Sequence, residues 1–347
     1  MLSTAPNSKR KQQILTGVVH AYIESGQPVS SRAIAQRHPE ALSPASVRNT
    51  MAELEEEGFL YQPHTSAGRV PTAAGYRYFA QVVSAEAKLD PDDQAWIRSE
   101  LAMATTPGEV AERAGHVLAS MSRGLGIIVS PSLAKSVLEH IRFMLLPDGR
   151  VVTVLVSAGG VARDKILRPA RAFTQPDLDR TAEYLNREYA GRTLVTIRAD
   201  LLARLAREQE RYDQLVRNAL ELCDPRLLGE NEAPQVHVEG AAQMAAASDF
   251  ADQAQLRELL AAIEEREKLV ALLSGCIDAP ESVQVQIGVN GISTGEGQLT
   301  LISAPYAWHD QAQGSLGVLG PMRMHYERAI TAVAYVARLF SESAGRS

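Results

Sequence analysis

The sequence has few of the residues on which disulfide scaffolds, metal centres and membrane segments depend. Its only two cysteines, Cys223 and Cys276, have neither the number nor the spacing of a disulfide framework or a metal site. No run of about 18 apolar residues and no signal-peptide pattern is present. The sequence therefore predicts a cytoplasmic protein without a membrane segment, with both cysteines as buried small hydrophobic residues.

Catalytic patterns are also missing. The eight histidines are scattered without an HxH or HExxH pair, and no serine lies in a nucleophile-elbow sequence. Asp90, Asp92 and Asp93 are clustered, but they fall in a polar stretch where a solvated acidic run is the simpler interpretation. The sequence therefore predicts a protein that is not an enzyme, with no catalytic residue, no metal and no cofactor.

Charge is unevenly distributed along the 347 residues. The net charge is −6, yet residues 1 to 80 hold eight Lys and Arg against six Glu. Because nucleic-acid affinity depends on local charge, a mildly basic N-terminal part on an acidic body is compatible with DNA binding. An N-terminal part with so small an excess of positive charge would bind DNA weakly as a single copy. This favours a dimer, which presents two such parts to the DNA.

Residues 43 to 57 have the pattern of a recognition helix. Ser43 is a good N-cap, Pro44 suits the first helical position, and an apolar face recurs at helical spacing. The opposite face carries small or hydrogen-bonding side chains, which suit a helix entering a major groove with its N-terminal turns. The apolar face is Val47, Met51 and Leu54, and the opposite face is Ala45, Ser46, Asn49 and Ala52, with Arg48 and Thr50 on its flanks. An ordinary amphipathic surface helix is the alternative interpretation.

The segments around this helix complete a DNA-binding pattern. A helix capped by Ser8 and stopped by Gly26, and a short helix from Ser31 to Arg37, precede it and give a helix-turn-helix order. The three cations of residues 9–11 could contact phosphate or simply be solvated. After it, residues 59–71 read as a hairpin with a basic tip, and Thr72 caps a further helix. Such a hairpin can lie on a DNA backbone or reach into a minor groove.

These residues carry a resemblance to a known family. The runs YIESGQPVSSRAIA, LSPASVRNTMAELEEEGFL and QPHTSAGRVPTAAGYRYF resemble the N-terminal winged-helix domain of the HrcA family of bacterial heat-inducible transcription repressors. GSLGVLGPMRMHYERAI, near the other end, resembles the family's C-terminal motif. The resemblance implies a GAF-like domain after the head and an inserted segment that contributes to dimerisation.

The remaining segments alternate between strand and helix patterns. Helices are predicted at 96–103, 107–121, 177–189, 197–222, 256–273 and 326–340. Strands are predicted at 125–129, 139–146, 151–157, 161–167, 236–239, 283–289 and 299–303. Successive strands joined by tight turns indicate an antiparallel sheet. The glycine-rich run GVNGISTGEG has no phosphate-binding spacing and is predicted to be a hairpin loop.

Together these patterns predict an α+β multidomain fold, with an N-terminal winged helix-turn-helix and a GAF-like antiparallel α/β domain that carries a helical inserted dimerisation segment. The predicted parts are the winged-helix DNA-binding domain 1–83, a linker 84–94, the first part of the GAF-like domain 95–169, the inserted dimerisation segment 170–234 and the second part of the GAF-like domain 235–347.

Two sets of site residues follow. DNA-binding side chains are predicted at Ser30, Ser31, Arg32, Ser46, Arg48, Asn49, Thr50, His64, Thr65, Ser66, Arg69 and Arg77. An a/d spacing within the helix 197–222 could pair with a second copy or simply cover its own domain, and the resemblance favours the second copy. The residues of this dimerisation seam are Leu201, Leu205, Tyr212, Leu215 and Leu222.

The leading hypothesis is a transcriptional repressor that binds an inverted-repeat operator as a homodimer. The resemblance implies the target and its control: the CIRCE operator before chaperone operons, with repression supported by the GroEL chaperonin, so that the protein is nucleoid-associated when bound. The alternative is a metabolite-responsive winged-helix regulator that senses a small ligand through the GAF-like domain.

Overall fold

The computed structural model describes residues 6–37, 42–122, 124–130, 137–157, 162–207, 213–223, 236–242, 266–274, 283–289, 299–308 and 312–344. Within these residues the chain forms helices and antiparallel sheets, as the sequence predicts. We name residues 6–86 the head and residues 137–223 the middle unit. The sheet domain comprises the described residues of 91–130 and 236–344.

The head contains four helices and one hairpin. Its helices begin and end close to where the sequence predicts. Ser8 caps the first helix, and Gly26 ends it in the left-handed conformation at φ 66°. The hairpin strands pair antiparallel, with Leu60 opposite Pro71. The elements are α1 Lys9–Ser25, α2 Ser31–Arg37, α3 Pro44–Glu56, β1 Leu60–Tyr61, β2 Val70–Pro71 and α4 Ala73–Glu86.

The sheet domain is built on five antiparallel strands in the order β7-β3-β10-β9-β8. Helices α6 and α11 pack on one face of this sheet, and α10 packs on the other. Its elements are α5 Pro91–Ala102, α6 Pro107–Ser122, β3 Leu125–Val129, β7 Val236–Glu239, α10 Arg266–Ser274, β8 Gln284–Ile287, β9 Leu299–Trp308, β10 Ala312–Pro321 and α11 Tyr326–Ala344.

The middle unit is a three-stranded antiparallel sheet, in the order β4-β5-β6, with helices on one face. Strand β5 alternates buried and half-buried side chains, so only one face of this sheet is covered. The strands and helices share one hydrophobic cluster, separate from that of the sheet domain. The elements are β4 Leu138–Leu145, β5 Val151–Ser157, β6 Ala162–Leu167, α7 Gln175–Tyr189, α8 Leu194–Arg207 and α9 Asp213–Leu222.

The structure corrects the predicted boundaries in three places. The predicted linker 84–94 is mostly helical, because α4 runs to Glu86 and α5 begins at Pro91. The predicted boundary between 169 and 170 falls inside the hydrophobic cluster of the middle unit. The predicted helix 197–222 is instead described as two helices, α8 and α9, that pack against each other. The middle unit therefore begins before residue 170 and includes β4 to β6. The residues between α8 and α9, 208–212, lie outside the described residues.

The head and the sheet domain share a hydrophobic cluster. Helix α4 contacts both α11 and β8. At this junction the buried ring of Tyr326 lies 6.0 Å from the ring of Tyr76 and 6.0 Å from that of Phe79, measured between centroids. The head is therefore packed against the sheet domain through apolar and aromatic contacts.

Candidate nucleic-acid interface

Helix α3 is fixed in the head by its apolar face. The Ser43 hydroxyl accepts a hydrogen bond from the Ser46 N–H at 3.2 Å, which caps the first turn. Val47, Met51 and Leu54 are buried, as their spacing predicts. Helix α2 packs against α3, and α1 packs against both. One side of α3 is therefore committed to the core, and the other is free to face a partner.

The outward side of α3 presents Arg48 and Asn49. Both side chains are exposed, and within the part of the chain that the structure describes no carboxylate lies within ion-pair distance of Arg48. Arginine and asparagine are the side chains that pair with guanine and adenine edges in the major groove. This pair is thus exposed on the side of α3 that the core does not use.

Thr50 does not belong to that outward side. Its side chain is buried, and its hydroxyl donates to the Ser46 carbonyl oxygen at 3.2 Å. The predicted contact of Thr50 with DNA is therefore replaced by an intrahelical bond. Ser46 is half-buried, and its hydroxyl accepts a hydrogen bond from the guanidinium of Arg10.

The start of α2 brings three further predicted residues to the surface. Ser30 is exposed, and its hydroxyl accepts a hydrogen bond from the Ala33 N–H at 3.2 Å, so it caps α2. Ser31 is half-buried, and Arg32 is exposed. Because Arg32 has no ion-pair partner among the described residues, its charge is available for a phosphate.

The hairpin loop is held in shape by one glutamine. The Gln62 side-chain amide donates to the carbonyl oxygens of Thr65 and Ala67, at 3.0 and 2.9 Å. His64, Thr65 and Ser66 are exposed at the tip. Gln62 therefore fixes the backbone of the loop, and the three side chains at the tip remain exposed.

A backbone bridge ties the hairpin to the segment before α2. Val29 and Arg69 exchange two N–H to carbonyl bonds, each 2.9 Å long. A Cβ added to Gly68 would lie 2.3 Å from the Val29 carbonyl oxygen, so only glycine allows this approach. The hairpin is thus bonded directly to the segment between α1 and α2.

The side chain of Arg69 is used differently from its prediction as a phosphate contact. Its Nη2 pairs with Glu55 Oε2 at 2.9 Å, and the side chain is only 15% exposed. The other carboxylate oxygen of Glu55 accepts the Gln62 N–H at 3.0 Å. Arg69 therefore secures the hairpin to the end of α3, and its charge is already paired.

Lys11 pairs with two more carboxylates, one in the last turn of α3 and one just after it. Its Nζ lies 2.8 Å from Glu53 and 2.7 Å from Glu57, and hydrogen bonds to these two carboxylates, Glu53 first, raise the pKa of the lysine. Three of the four glutamates at the end of α3 are thus paired. The repulsion that this acidic run would exert on a DNA backbone is reduced accordingly.

Arg77, on α4, is exposed without an ion-pair partner among the described residues. Its charge is therefore available for a phosphate, and its contact with DNA stays a prediction. The links from Arg10 to Ser46 and from Lys11 to α3 were not predicted. A local sequence pattern contains no signal for pairs separated by 36 or 46 positions.

The three residues of the predicted dimerisation seam whose side chains are described pack within the middle unit. Leu201 and Leu222 are fully buried in its cluster, and Leu215 is half-buried against it. The side chain of Leu205 and the whole of Tyr212 lie outside the described residues. Leu201 and Leu222 therefore cover their own domain, which is the alternative that the spacing left open.

Neither a metal cluster nor a membrane span is found where the structure is described. No group of three or more His, Cys, Asp or Glu there could hold a metal ion. No helix within the described ranges is long and apolar enough to cross a bilayer. Cys223 is buried as predicted, and burial raises the pKa of its thiol to about 12. Cys276 and the glycine-rich residues 290–297 lie outside the described ranges.

Comparison with known proteins gives a family match over most of the chain. The family model described as HrcA protein C terminal domain matches residues 108–330. The heat-inducible transcription repressor HrcA of Geobacter sulfurreducens is 36% identical over 336 residues, which cover 96% of this chain and 97% of the relative. The repressor of the same name from Xylella fastidiosa strain M12 is 34% identical over 330 residues, covering 95% and 94%.

One solved structure has the same overall fold. It is the crystal structure of a hypothetical protein at 2.2 Å resolution, which is 21% identical and superposes with a TM-score of 0.64 over 97% of this chain and 98% of its own. At that identity the likeness concerns the fold alone.

Proposed function

The chain belongs to the HrcA family of heat-inducible transcription repressors, and we propose that it represses transcription by binding an inverted-repeat operator through α3. The observation that carries this proposal is the outward side of α3. There Arg48 and Asn49 are exposed, while the carboxylates of Glu53, Glu55 and Glu57 are paired with Lys11 or Arg69.

We assign the head as a winged helix whose α3 enters the major groove. Arg48 and Asn49 read base edges, because each can form a bidentate pair with a purine. Arg32 and Arg77 hold phosphates on either side and set the register. The exposed tip, His64 to Ser66, lies along the backbone or the minor groove. Thr50 and Arg69 support this surface from beneath, while Ser30, Ser31 and Ser46 lie at its edge, where Ser30 caps α2 and Ser46 bonds Arg10.

We also assign the remaining parts of the chain. The five-stranded sheet and its helices are a GAF-like domain, and the middle unit is an insertion between β3 and β7 of that domain. The support is the topology, since β3 and β7 are neighbours in one sheet although residues 137–223 lie between them. The DNA target places the protein in the cytoplasm, at the nucleoid.

We propose that the protein acts as a homodimer. An inverted repeat presents two equivalent half-sites, and a two-fold dimer presents two α3 helices to match them. Because the head has a small excess of basic residues, two heads are also needed for useful affinity.

The surface proposed for this dimer is the uncovered face of the middle sheet. Met144, Val152 and Ile166 form one cross-strand row there, and Met144 and Ile166 are 55% and 49% exposed. The next row places the exposed Arg142 and Asp164 on either side of Val154. A two-fold axis along β5 sets Arg142 of each copy opposite Asp164 of the other, so the face is complementary to itself.

The dimer surface is tested by placing a charge on it. We expect Ile166→Glu to convert the dimer to a monomer at micromolar concentration in light scattering, because a carboxylate would be buried in an apolar contact. The matched control is Leu202→Glu on α8, where the native side chain is 47% exposed. If Leu202→Glu disrupted the dimer and Ile166→Glu left it intact, the dimer interface would lie on the helices of the middle unit instead of its sheet.

The operator and its control are proposed from family membership. We propose that the target is the CIRCE operator of chaperone operons and that the GroEL chaperonin supports repression. The experiment is a titration of the protein onto a labelled CIRCE duplex with and without GroEL. We expect tighter binding with GroEL. An affinity that GroEL does not change would separate operator recognition from chaperonin control.

A further inference from the structure

Two consecutive cations of α1 reach opposite ends of α3. The Arg10 guanidinium donates through Nη2 to the Ser46 hydroxyl in the first turn of α3. The Lys11 ammonium bonds Glu53 and Glu57 in and just after its last turn. Helix α1 therefore fixes α3 at both ends.

The two cations differ in what remains available to a ligand. Lys11 is 13% exposed, and its charge is shared by two carboxylates at 2.8 and 2.7 Å. Arg10 is exposed, and its partner Ser46 is a neutral hydroxyl. Because a guanidinium has five N–H donors, the bond to Ser46 leaves most of them, and the whole positive charge, unused.

The position of Arg10 places this charge beside the base-reading side chains. Ser46 and Asn49 are three residues apart on α3, so they lie on the same side of the helix. Arg10 is bonded to the first of these and lies at the N-terminal rim of that side. When α3 enters a major groove, the rim of its exposed side faces the flanking phosphates.

We propose that Arg10 is a DNA-backbone contact residue and that Ser46 positions its guanidinium for that contact. This inference rests on the proposed function. It assigns the N-terminal end of α1 to the DNA interface and makes Ser46 a positioning residue instead of a base reader. The Arg10 contact increases the affinity of the protein for DNA of any sequence, while Lys11 has only a structural role.

The test compares Arg10→Ala with Arg37→Ala in the full-length protein. Arg37 is an exposed head arginine whose guanidinium bonds Glu24 at 2.9 Å, so both variants remove one positive charge. Affinities for an inverted-repeat duplex and a scrambled duplex are measured at several salt concentrations. We expect Arg10→Ala to weaken both by about tenfold at low salt and to reduce the magnitude of the slope of log K against log salt by about 1.8, or about 0.9 for the phosphate contact of each subunit of the dimer. Arg37→Ala should leave both quantities unchanged.

Two further variants separate a phosphate contact from a purely structural role. Arg10→Lys keeps the charge and should keep the salt slope, while Ser46→Ala should weaken binding less than Arg10→Ala. An Arg10→Ala variant with the wild-type salt slope on both duplexes would overturn the inference, even if its thermal stability fell. If the wild-type protein itself failed to prefer the inverted repeat, the proposed operator function would fail, and the salt slope would still report on Arg10.

Discussion

At the scale of single residues, adjacent positions of α3 have opposite roles. Asn49 is exposed, while the hydroxyl of Thr50 is buried and bonded to the Ser46 carbonyl. We expect Asn49→Ala to reduce the preference for operator over scrambled DNA by about 1 to 3 kcal/mol, because a bidentate base contact is lost. Fluorescence anisotropy with the two duplexes measures this preference.

The neighbouring Thr50→Val is the control for that variant. It keeps the side-chain volume and removes one hydrogen bond, so the free energy of unfolding should fall by about 1 kcal/mol while the DNA preference stays unchanged. A loss of preference in Thr50→Val with none in Asn49→Ala would mean that α3 meets DNA through a different side.

The exposure of single side chains in α3 could be predicted from the sequence only in part. Helical spacing places Val47, Met51 and Leu54 inside and Asn49 outside, and the structure agrees. A flank position such as Thr50 is decided by the elements packed beside α3, which a helical wheel does not contain. For Arg69 the partner lies 14 positions earlier, at Glu55, and only the folded hairpin brings the two together.

At the scale of elements, the hairpin depends on its contact with the segment before α2. A Cβ on Gly68 would meet the backbone of Val29 and Pro28, at 2.3 to 2.8 Å. We expect Gly68→Ala to lower the free energy of unfolding by about 1 to 3 kcal/mol and to weaken operator binding, since the hairpin must move away. Chemical denaturation and DNA titration measure the two effects.

Gly108→Ala is the matched control, because no atom beyond its chain neighbours and the backbone of its own helix lies within 4 Å of a Cβ added there. It should leave both the stability and the DNA affinity near those of the wild type. A Gly68→Ala protein with wild-type stability and affinity would show that the hairpin tolerates displacement and that the bridge to Val29 is unimportant.

Local signals predicted the elements of the head well and those of the sheet domain less completely. Ser8, Ser43 and Thr72 are N-caps as predicted. Strand β10 was missed because its glycines and Pro321 are typical of loops. Gly317 is needed there for packing: a Cβ would lie 2.5 Å from the Ile302 carbonyl oxygen of the neighbouring strand. The tertiary contact, and not local propensity, selects glycine in this strand.

At the scale of the whole molecule, the head and the sheet domain are coupled through Tyr326. Its ring packs on Tyr76 and Phe79, and its hydroxyl donates to the Met322 carbonyl at 2.8 Å. We expect Tyr326→Ala to lower the free energy of unfolding by about 3 to 5 kcal/mol. Hydrogen exchange should increase in both α1 and α11, because the two parts share one hydrophobic cluster.

The conservative variant Tyr326→Phe keeps the ring and removes the hydroxyl's hydrogen bonds to the Met322 carbonyl and the Thr300 hydroxyl. The loss should therefore be about 1 to 2 kcal/mol. If Tyr326→Ala increased exchange in α11 and left α1 protected, the head would be stable independently of the sheet domain.

The pairing of strands from distant parts of the chain was not predictable from local patterns. The strand patterns of β3 and β4 to β6 are consecutive in sequence, which favoured a single sheet. In the structure, Leu125–Val129 pairs with β10 and β7, while Leu138–Leu145 pairs with β5. Pairing between strands nearly 200 positions apart depends on which hydrophobic surfaces meet, and a single sequence does not specify this.

Recognition of one DNA sequence by the outward side of α3 underlies the proposed function. It is tested most directly by titrating the wild-type protein onto a labelled inverted-repeat operator and onto a scrambled duplex of the same composition at physiological salt. We expect binding to the operator at least about a thousandfold tighter than to the scrambled duplex. Equal affinity for the two duplexes, falling in parallel as salt is raised, would contradict it, since only phosphate contacts would then remain.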